Sequence, residues 1–399
     1  MSRLDELIAE LAPGGVPVRP LGELGVFVRG NGLQKSDLTD DGFPAIHYGQ
    51  VHTHYGVWTD VTKSFTSPVL ATKLRHACPG DLVVATTSED DAAVAKATAW
   101  LGEGKVAVSG DAYVYRHTLD PRFVAYFFAS ERFQEQKGRF VTGTKVRRIS
   151  GEALSKIQIP VPPAKIQREI VRILDQFTQL EAELKAELGA RHDQYEHYSH
   201  RLLSCTPEEA VELTLGDIGR VAMCKRVFKN ETSDVGEIPF FKIGTFGGEP
   251  DAYISRELFD NYRAKYSFPK PGDVLISAAG TIGRTVTYDG EAAYFQDSNI
   301  VWLDHDQSIV SNAYLKHWYR LVQWATDGGT IKRLYNANLL RATILVPPLP
   351  VQARIVDRLD KFDALVNDIS IGLPAELAAR RKQYEYYRDK LLTFGEAVS

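Results

Sequence analysis

Two stretches of this chain carry the same apolar pattern at helical spacing. The first sets Ile166, Ile170, Ile173, Phe177, Leu180, Leu184, Leu188, Tyr195, Tyr198 and Leu202 at steps of three and four, with one gap at Arg191. The second sets Val351, Ile355, Leu359, Phe362, Leu365, Ile369, Leu373, Leu377, Tyr384, Tyr387 and Leu391 in the same way. Such steps keep apolar groups on one helix face, so each stretch predicts a long amphipathic helix of about 40 residues, or ~60 Å. Pro162-Pro163 and Pro347-Pro348 stand just ahead, where proline suits a helix start. Gly372 and Pro374 predict a kink or split in the second helix.

The likeness goes beyond spacing. Val161-Pro162-Pro163, Gln167, Ile170, Val171, Leu174, Asp175, Phe177 and Leu180 return as Val346-Pro347-Pro348, Gln352, Ile355, Val356, Leu359, Asp360, Phe362 and Leu365. A second block, Arg191, Gln194, Tyr195, Glu196, Tyr198, Leu202 and Leu203, returns as Arg380, Gln383, Tyr384, Glu385, Tyr387, Leu391 and Leu392. A stripe this long needs a long partner, and the simplest is the other copy in an antiparallel coiled coil. Ile170, Phe177, Leu180 and Leu184 would then be pairing residues in one helix, and Ile355, Phe362, Leu365 and Ile369 in the other. The alternative is two core helices buried in separate domains.

Short elements broken by turn residues fill the intervals. A helix over residues 2–12 ends at Pro13-Gly14-Gly15, and strands are expected near residues 81–85 and 112–115. Residues 123–136 read as one helix, answered by a helix over 313–326. Leu21-Gly22-Glu23-Leu24-Gly25 answers to Leu215-Gly216-Asp217-Ile218-Gly219, Pro44 through Gly49 to Pro239 through Gly244, and Pro79-Gly80-Asp81 to Pro271-Gly272-Asp273. The expected plan is α/β, with an internal pseudo-twofold repeat. A first globule spans 1–159, a first long helix 160–204, a second globule 205–345, a second long helix 346–394 and a tail 395–399. Between matched landmarks the two globules differ almost completely. Two similar modules that diverge in what they carry look like a reader of two separated targets.

Composition narrows the class. Of 399 residues, 44% are apolar and 25% charged, which is ordinary for a globular protein. No apolar run approaches the ~18 residues of a membrane span, and the first residues, MSRLDELIAE, lack a signal-peptide core. Cys78, Cys205 and Cys224 lie far apart, which argues against a disulfide scaffold and suits a reducing cytosol. The net charge of −4 means that a DNA binder must gather its cations locally. Residues 17–159 hold 17 Lys/Arg against 15 Asp/Glu, and residues 213–345 hold 15 against 15.

The segment Thr144-x-Val146-Arg147-Arg148-Ile149 is followed by Ile157-x-Ile159-Pro160-Val161-Pro162-Pro163 and then Gln167-x-x-Ile170-Val171-x-x-Leu174-Asp175-x-Phe177. With the ending Arg-Lys-Gln-Tyr-Glu-Tyr-Tyr-Arg-Asp-Lys-Leu-Leu-Thr-Phe over 381–394, it closely resembles the DNA-specificity subunit of type I restriction–modification enzymes. The resemblance covers nearly the whole chain. It implies two target recognition domains, each touching one part of a bipartite double-stranded DNA site, with the paired helices setting the spacer. It implies a non-catalytic cytoplasmic subunit that binds no cofactor. Its partners would be two modification (methyltransferase) subunits carrying S-adenosylmethionine, with restriction/translocase subunits as further partners and no membrane. The competing readings are a coiled-coil adaptor that binds only proteins and a metal-dependent nuclease.

Candidate DNA contacts are the local cation clusters Lys145, Arg147 and Arg148; Lys332 and Arg333; and Lys225, Arg226 and Lys229. The first two clusters occupy matched positions just ahead of each long helix. Gly280, Thr281, Gly283 and Arg284 form a glycine-rich turn that either brings backbone amides to phosphate or closes an ordinary hairpin. The chain has no phosphate-loop motif and no Asn/Asp-Pro-Pro-aromatic methyltransferase motif, and no catalytic residue is assigned. Pro79-Gly80-Asp81 with Glu103-Gly104-Lys105 mimics a nuclease site, but the second globule repeats only the Pro-Gly-Asp, which is a common turn. His52 and His54 on one face of a possible strand, and His192, His197 and His200 on the first long helix, lack convergent further ligands, so no metal site is expected.

Overall fold

The computed structural model describes residues 3–204, 210–325, 332–367 and 372–395. Ile369, Cys205 and Thr326 lie outside the described residues. The chain divides into two compact units: residues 1–184 with 377–399, and residues 185–376. Each unit is a mixed α/β globule carrying a helix pair. One continuous helix, Ala164–Ser204, supplies its first half to unit 1 and its second half to unit 2. The second repeat is split, as Gly372 and Pro374 predict, into the helices Leu349–Asn367 in unit 2 and Leu373–Leu391, most of which belongs to unit 1.

In unit 1 a five-stranded sheet runs in the order Gly25–Arg29, Ala112–His117, Leu82–Ala85, Ala97–Trp100, Trp58–Thr59. A four-stranded sheet lies beside it: Ser64–Thr66, Phe43–Ile46, Val106–Val108, His76–Ala77. The run Leu82-Val83-Val84-Ala85 is buried on both faces, which is why it is continuously apolar. Leu82 and Val84 join a core with Phe123, Phe127 and Phe133 of the helices, while Val83 and Ala85 join Ile46, Val106 and Val108 of the other sheet.

Unit 2 repeats this with its own sheet, Gly219–Ala222, Ile300–His305, Val274–Ser277, Thr285–Thr287, and a smaller one, Tyr253–Ile254, Ile238–Phe241, Tyr294–Phe295. Val274 and Ile276 face the helix-side core, and Leu275 faces the core under the smaller sheet.

The repeated letters explain themselves here. Gly25 and Gly219 are extended, and a Cβ on either would fall 2.1 Å from Arg116 O or 2.5 Å from Asp304 O in the neighbouring strand. Gly80 and Gly272 both take φ +92° in the Pro-Gly-Asp turn, a conformation glycine adopts without steric cost.

One device attaches each globule to its helix. The side chain of Gln167 donates to Pro162 O (2.7 Å) and accepts from Asp120 N–H (2.9 Å). The side chain of Gln352 donates to Pro347 O and Ile309 O (2.8 Å each) and accepts from Ser311 N–H (2.9 Å). Asp120 and Ser311 are the N-caps of the matched helices Pro121–Ala129 and Asn312–Leu321. Both glutamines are buried, at 4% and 0% exposure. Two turns on, Asp175 accepts from Tyr126 Oη (2.7 Å) and Arg122 Nη1 (2.6 Å), and Asp360 meets His317 Nε2 (2.8 Å). The second repeated block closes the site from the facing helix. Tyr195 Oη lies 3.4 Å from His317 Nδ1 and accepts from Arg320 Nη1 (3.2 Å), and Tyr384 lies against Tyr126 with ring centroids 6.5 Å apart.

The helix pairs run antiparallel within each unit. In unit 1 Phe177 stacks on Tyr387 (5.5 Å) while Glu181 meets Arg381 (2.9 Å). In unit 2 Tyr198 packs on Phe362 (5.7 Å). Several expected pairing residues sit differently. Ile170 and Ile355 are buried in the globule cores, because the first turns of each helix rest on the sheet-packed helix. Leu180 and Leu184 are half-buried. Leu365 is 42% exposed and Val366 is buried in its place; Val366 continues the seven-residue spacing of the buried Gln352 and Leu359, and Leu365 falls beside that stripe.

Other expectations are corrected. The helix read over 123–136 is two, Pro121–Ala129 and Glu131–Gly138, because Ser130 turns extended and caps the second through Phe133 N–H. The helix expected over 313–326 ends at Leu321, where Val322 turns extended. His52 lies in a short helix, Tyr48–Thr53, and His54 is its C-cap, so there is no strand. That helix starts there because His47 caps Gly49 N–H and Gln50 reaches back to His47 N–H.

Gln352→Leu keeps the bulk but leaves Ser311 N–H, Ile309 O and Pro347 O without partners. It should destabilise unit 2 by about 3 kcal/mol, measured by urea unfolding or by amide exchange in Asn312–Leu321. Burial holds the pKa of His317 below 6.5, against the pull of Asp360 and with a push from Arg320. A base with a depressed folded pKa contributes fully above pH 6.5, and that stability is lost as pH falls below it. His317→Tyr, which installs the residue found at matched position 126, should flatten the stability profile of unit 2 between pH 7 and 5.

Candidate nucleic-acid interface

In unit 2 the strand Tyr294–Phe295 runs parallel to Ile238–Phe241 and then turns sharply through Gln296–Asn299 into the strand Ile300–His305. Arg226, arriving from the other side, meets Asp297 with its Nε at 2.9 Å. Arg333 is brought in by the pairing of its segment with Ala279, and Leu334 N–H donates to Ala278 O at 2.8 Å. Arg333 Nη2 then donates to Ser298 O at 3.0 Å. These groups, with Lys229, Lys242, Asp234 and Asp251, wall an open cleft of about 500 Å³, in which Lys242 is paired to Asp251 at 2.8 Å. Phe228 also lines it and is 56% exposed. Arg226, Lys229 and Arg333, drawn from separate parts of the sequence, thus converge on one cleft.

The other candidates do not all join them. Lys225 lies 5.1 Å over the Tyr266 ring, away from the cleft lining. Lys332 is exposed beside Arg333. The Gly280–Arg284 turn is a closed hairpin, in which Gly283 N–H donates to Ser277 O and Arg284 N–H to Ser277 Oγ. Those two amides are engaged internally. Arg284 Nη1 holds Phe246 O at 2.7 Å.

Unit 1 has the matching loop, Ser109 to Asp111, after the strand Val106–Val108, which is parallel to Phe43–Ile46. Sequence reading missed the cations there. Arg29 Nε donates to Gly110 O (3.0 Å) and its Nη2 lies 3.7 Å from Asp111. Arg75 Nη1 holds Arg29 O at 2.9 Å. His47 stands close by, its pKa lowered by burial, raised by Asp111 and lowered by Lys35. Of the expected residues, Lys145 is exposed, Arg148 is exposed and paired in a two-residue ladder with Thr87, and Arg147 forms an ion pair with Asp91 at 2.8 Å.

The decoy sites resolve into structure. Asp81 accepts from Cys78 N–H (2.8 Å) and Asp273 from Lys270 N–H (2.8 Å), so both carboxylates cap the same turn. Burial raises the Asp81 pKa, opposed by Cys78 N–H and Arg116. His52 Nε2 meets Thr87 O at 3.0 Å, and His200 meets Ser204. Among the described residues no group of three or more ligand-type side chains converges, and no helix is long and apolar enough to cross a membrane.

The family model of the type I restriction modification DNA specificity domain matches residues 13–190 and 207–379. The chain belongs to this family and is a DNA-specificity subunit of the type I restriction–modification class. It is 49% identical over 288 residues to a putative type I restriction enzyme specificity subunit of Haemophilus influenzae, covering 70% of this chain and 74% of that one. It is 35% identical over 264 residues to the type I restriction enzyme EcoR124I/EcoR124II specificity subunit of Escherichia coli, covering 62% and 65%. A solved chain from a study of assembly and conformational transition in a type I system aligns over 95% of this chain and 97% of its own, with a TM-score of 0.62 at 18% identity. The type I S subunit of M. genitalium aligns over 94% and 96%, with a TM-score of 0.51 at 14% identity. These two likenesses speak for the fold.

Proposed function

We propose that this chain reads a bipartite double-stranded DNA site, one part per globule, and scaffolds two modification subunits without performing chemistry itself. One observation carries the reading. Each of two globules with the same plan places a cationic site at the same point, after the strand that runs parallel in its smaller sheet, and each is gripped by the same Gln and Asp on a helix pair. Arg226, Lys229 and Arg333 in one unit, and Arg29, Arg75 and Arg148 in the other, would contact phosphate and set the register of each globule. The S-adenosylmethionine and the methyl-transfer chemistry come with the modification subunits. The same scaffold offers a place for restriction/translocase subunits, and the assembly works in the cytoplasm. The adaptor reading leaves the matched cationic sites without a purpose.

The test is reconstitution. The purified chain alone should methylate no DNA. With modification subunits and S-adenosylmethionine it should methylate a defined sequence, and the complex should protect two separated patches of DNA. Methylation by the chain alone, or a complex that leaves no footprint, would defeat the proposal.

A further inference from the structure

The structure assigns the reading of an adenine, in the part of the site touched by unit 2, to Asn299; this rests on the DNA-reading role proposed above. Asn299 lies in the wall of the 500 Å³ cleft, beside Arg226, Lys229 and Arg333. Its backbone is held at both ends: its N–H donates to Asp297 O (2.7 Å) and its carbonyl accepts from Ala278 N–H (2.7 Å). The residue before it, Ser298, has φ +59°, one of two non-glycine residues with positive φ among those described. A serine in that region persists only when its surroundings impose it, and such positions concentrate at binding and switch sites. The surroundings here are the two arginines, with Arg226 on Asp297 and Arg333 on Ser298 O. They act as positioning residues for Asn299.

The chemistry points to adenine. An amide offers one donor and one acceptor side by side, which complements N7 and the N6 amino group of adenine in the major groove, whereas guanine offers two acceptors and suits arginine. Gln296, on the same turn, is less suited because its amide oxygen already accepts from Ile243 N–H at 2.9 Å. The Asn299 side chain makes no such bond among the described residues. The cations around it supply attraction that any sequence satisfies, and the amide supplies the choice.

The experiment uses the full chain with its modification subunits and maps methylated sites by sequencing. Asn299→Ala should relax one A·T position by ~10–100-fold and leave the other part of the site unchanged. Asn299→Asp, which keeps the shape but turns the donor into a charged acceptor, should disfavour the same position beyond the general weakening that an added negative charge brings. Lys229→Ala should weaken all sequences alike and lower the salt slope by about 1. An Asn299→Ala motif identical to wild type, a uniform loss at every position, or relaxation at a G·C position would overturn the assignment. A wild-type complex without sequence preference would instead overturn the DNA-reading role.

Discussion

A buried amide at the start of a helix is the constraint on which this molecule depends. The start of any helix leaves backbone N–H groups in need of acceptors, and the proline carbonyls ahead of Gln167 and Gln352 need donors, because proline itself has no N–H to give. Each glutamine meets both needs, accepting from the N-cap N–H of the helix packed against it and donating to the proline carbonyl. The contact is short, fully buried and satisfied at both ends of the amide. A buried polar contact of this kind contributes modestly when made but costs several times more when half broken. It therefore favours one orientation of the globule on its helix over the alternatives. A reader whose side chains must meet base edges needs that fixed angle more than it needs extra stability.

The grip also accounts for what repeats. Gln, Asp and the facing Tyr recur in both units because they form the joint. Gly25 with Gly219 recur because the neighbouring strand's carbonyl leaves no room for a Cβ, and Gly80 with Gly272 because a positive φ strains any other residue. Beyond the joint the partners vary: Tyr126 and Arg122 meet Asp175, and His317 meets Asp360. The cleft residues differ between the units, as the proposed role in selecting a target requires.

Much of the architecture was legible for this reason. Two long stripes, their proline starts, the split near Gly372 and the order of globules and helices all follow from short-range spacing. What escaped depends on long-range placement. Arg29 and Arg75 are 46 residues apart and meet only because strand pairing brings their segments together. Arg226 and Arg333 likewise converge only through the sheet. The break at Ser130 escaped because a single capping hydroxyl overrode an apolar run. The choice of Val366 over Leu365 escaped because both lie a helical step of three or four beyond Phe362, and only packing decides between them.

With 47 Lys/Arg against 51 Asp/Glu, the proposed function asks a few placed cations to supply the attraction to DNA and the spacing of the two readers to set the target. The most direct measurement adds four residues to the Ala164–Ser204 helix near Gly189 and four to its facing helix, then maps methylation by the reconstituted complex. Four residues lengthen a helix by ~6 Å. The bases of both parts of the site should stay the same while the gap between them changes by one or two base pairs, at about 3.4 Å per pair. Altered bases within either part, or an unchanged gap in an active complex, would contradict the proposed function.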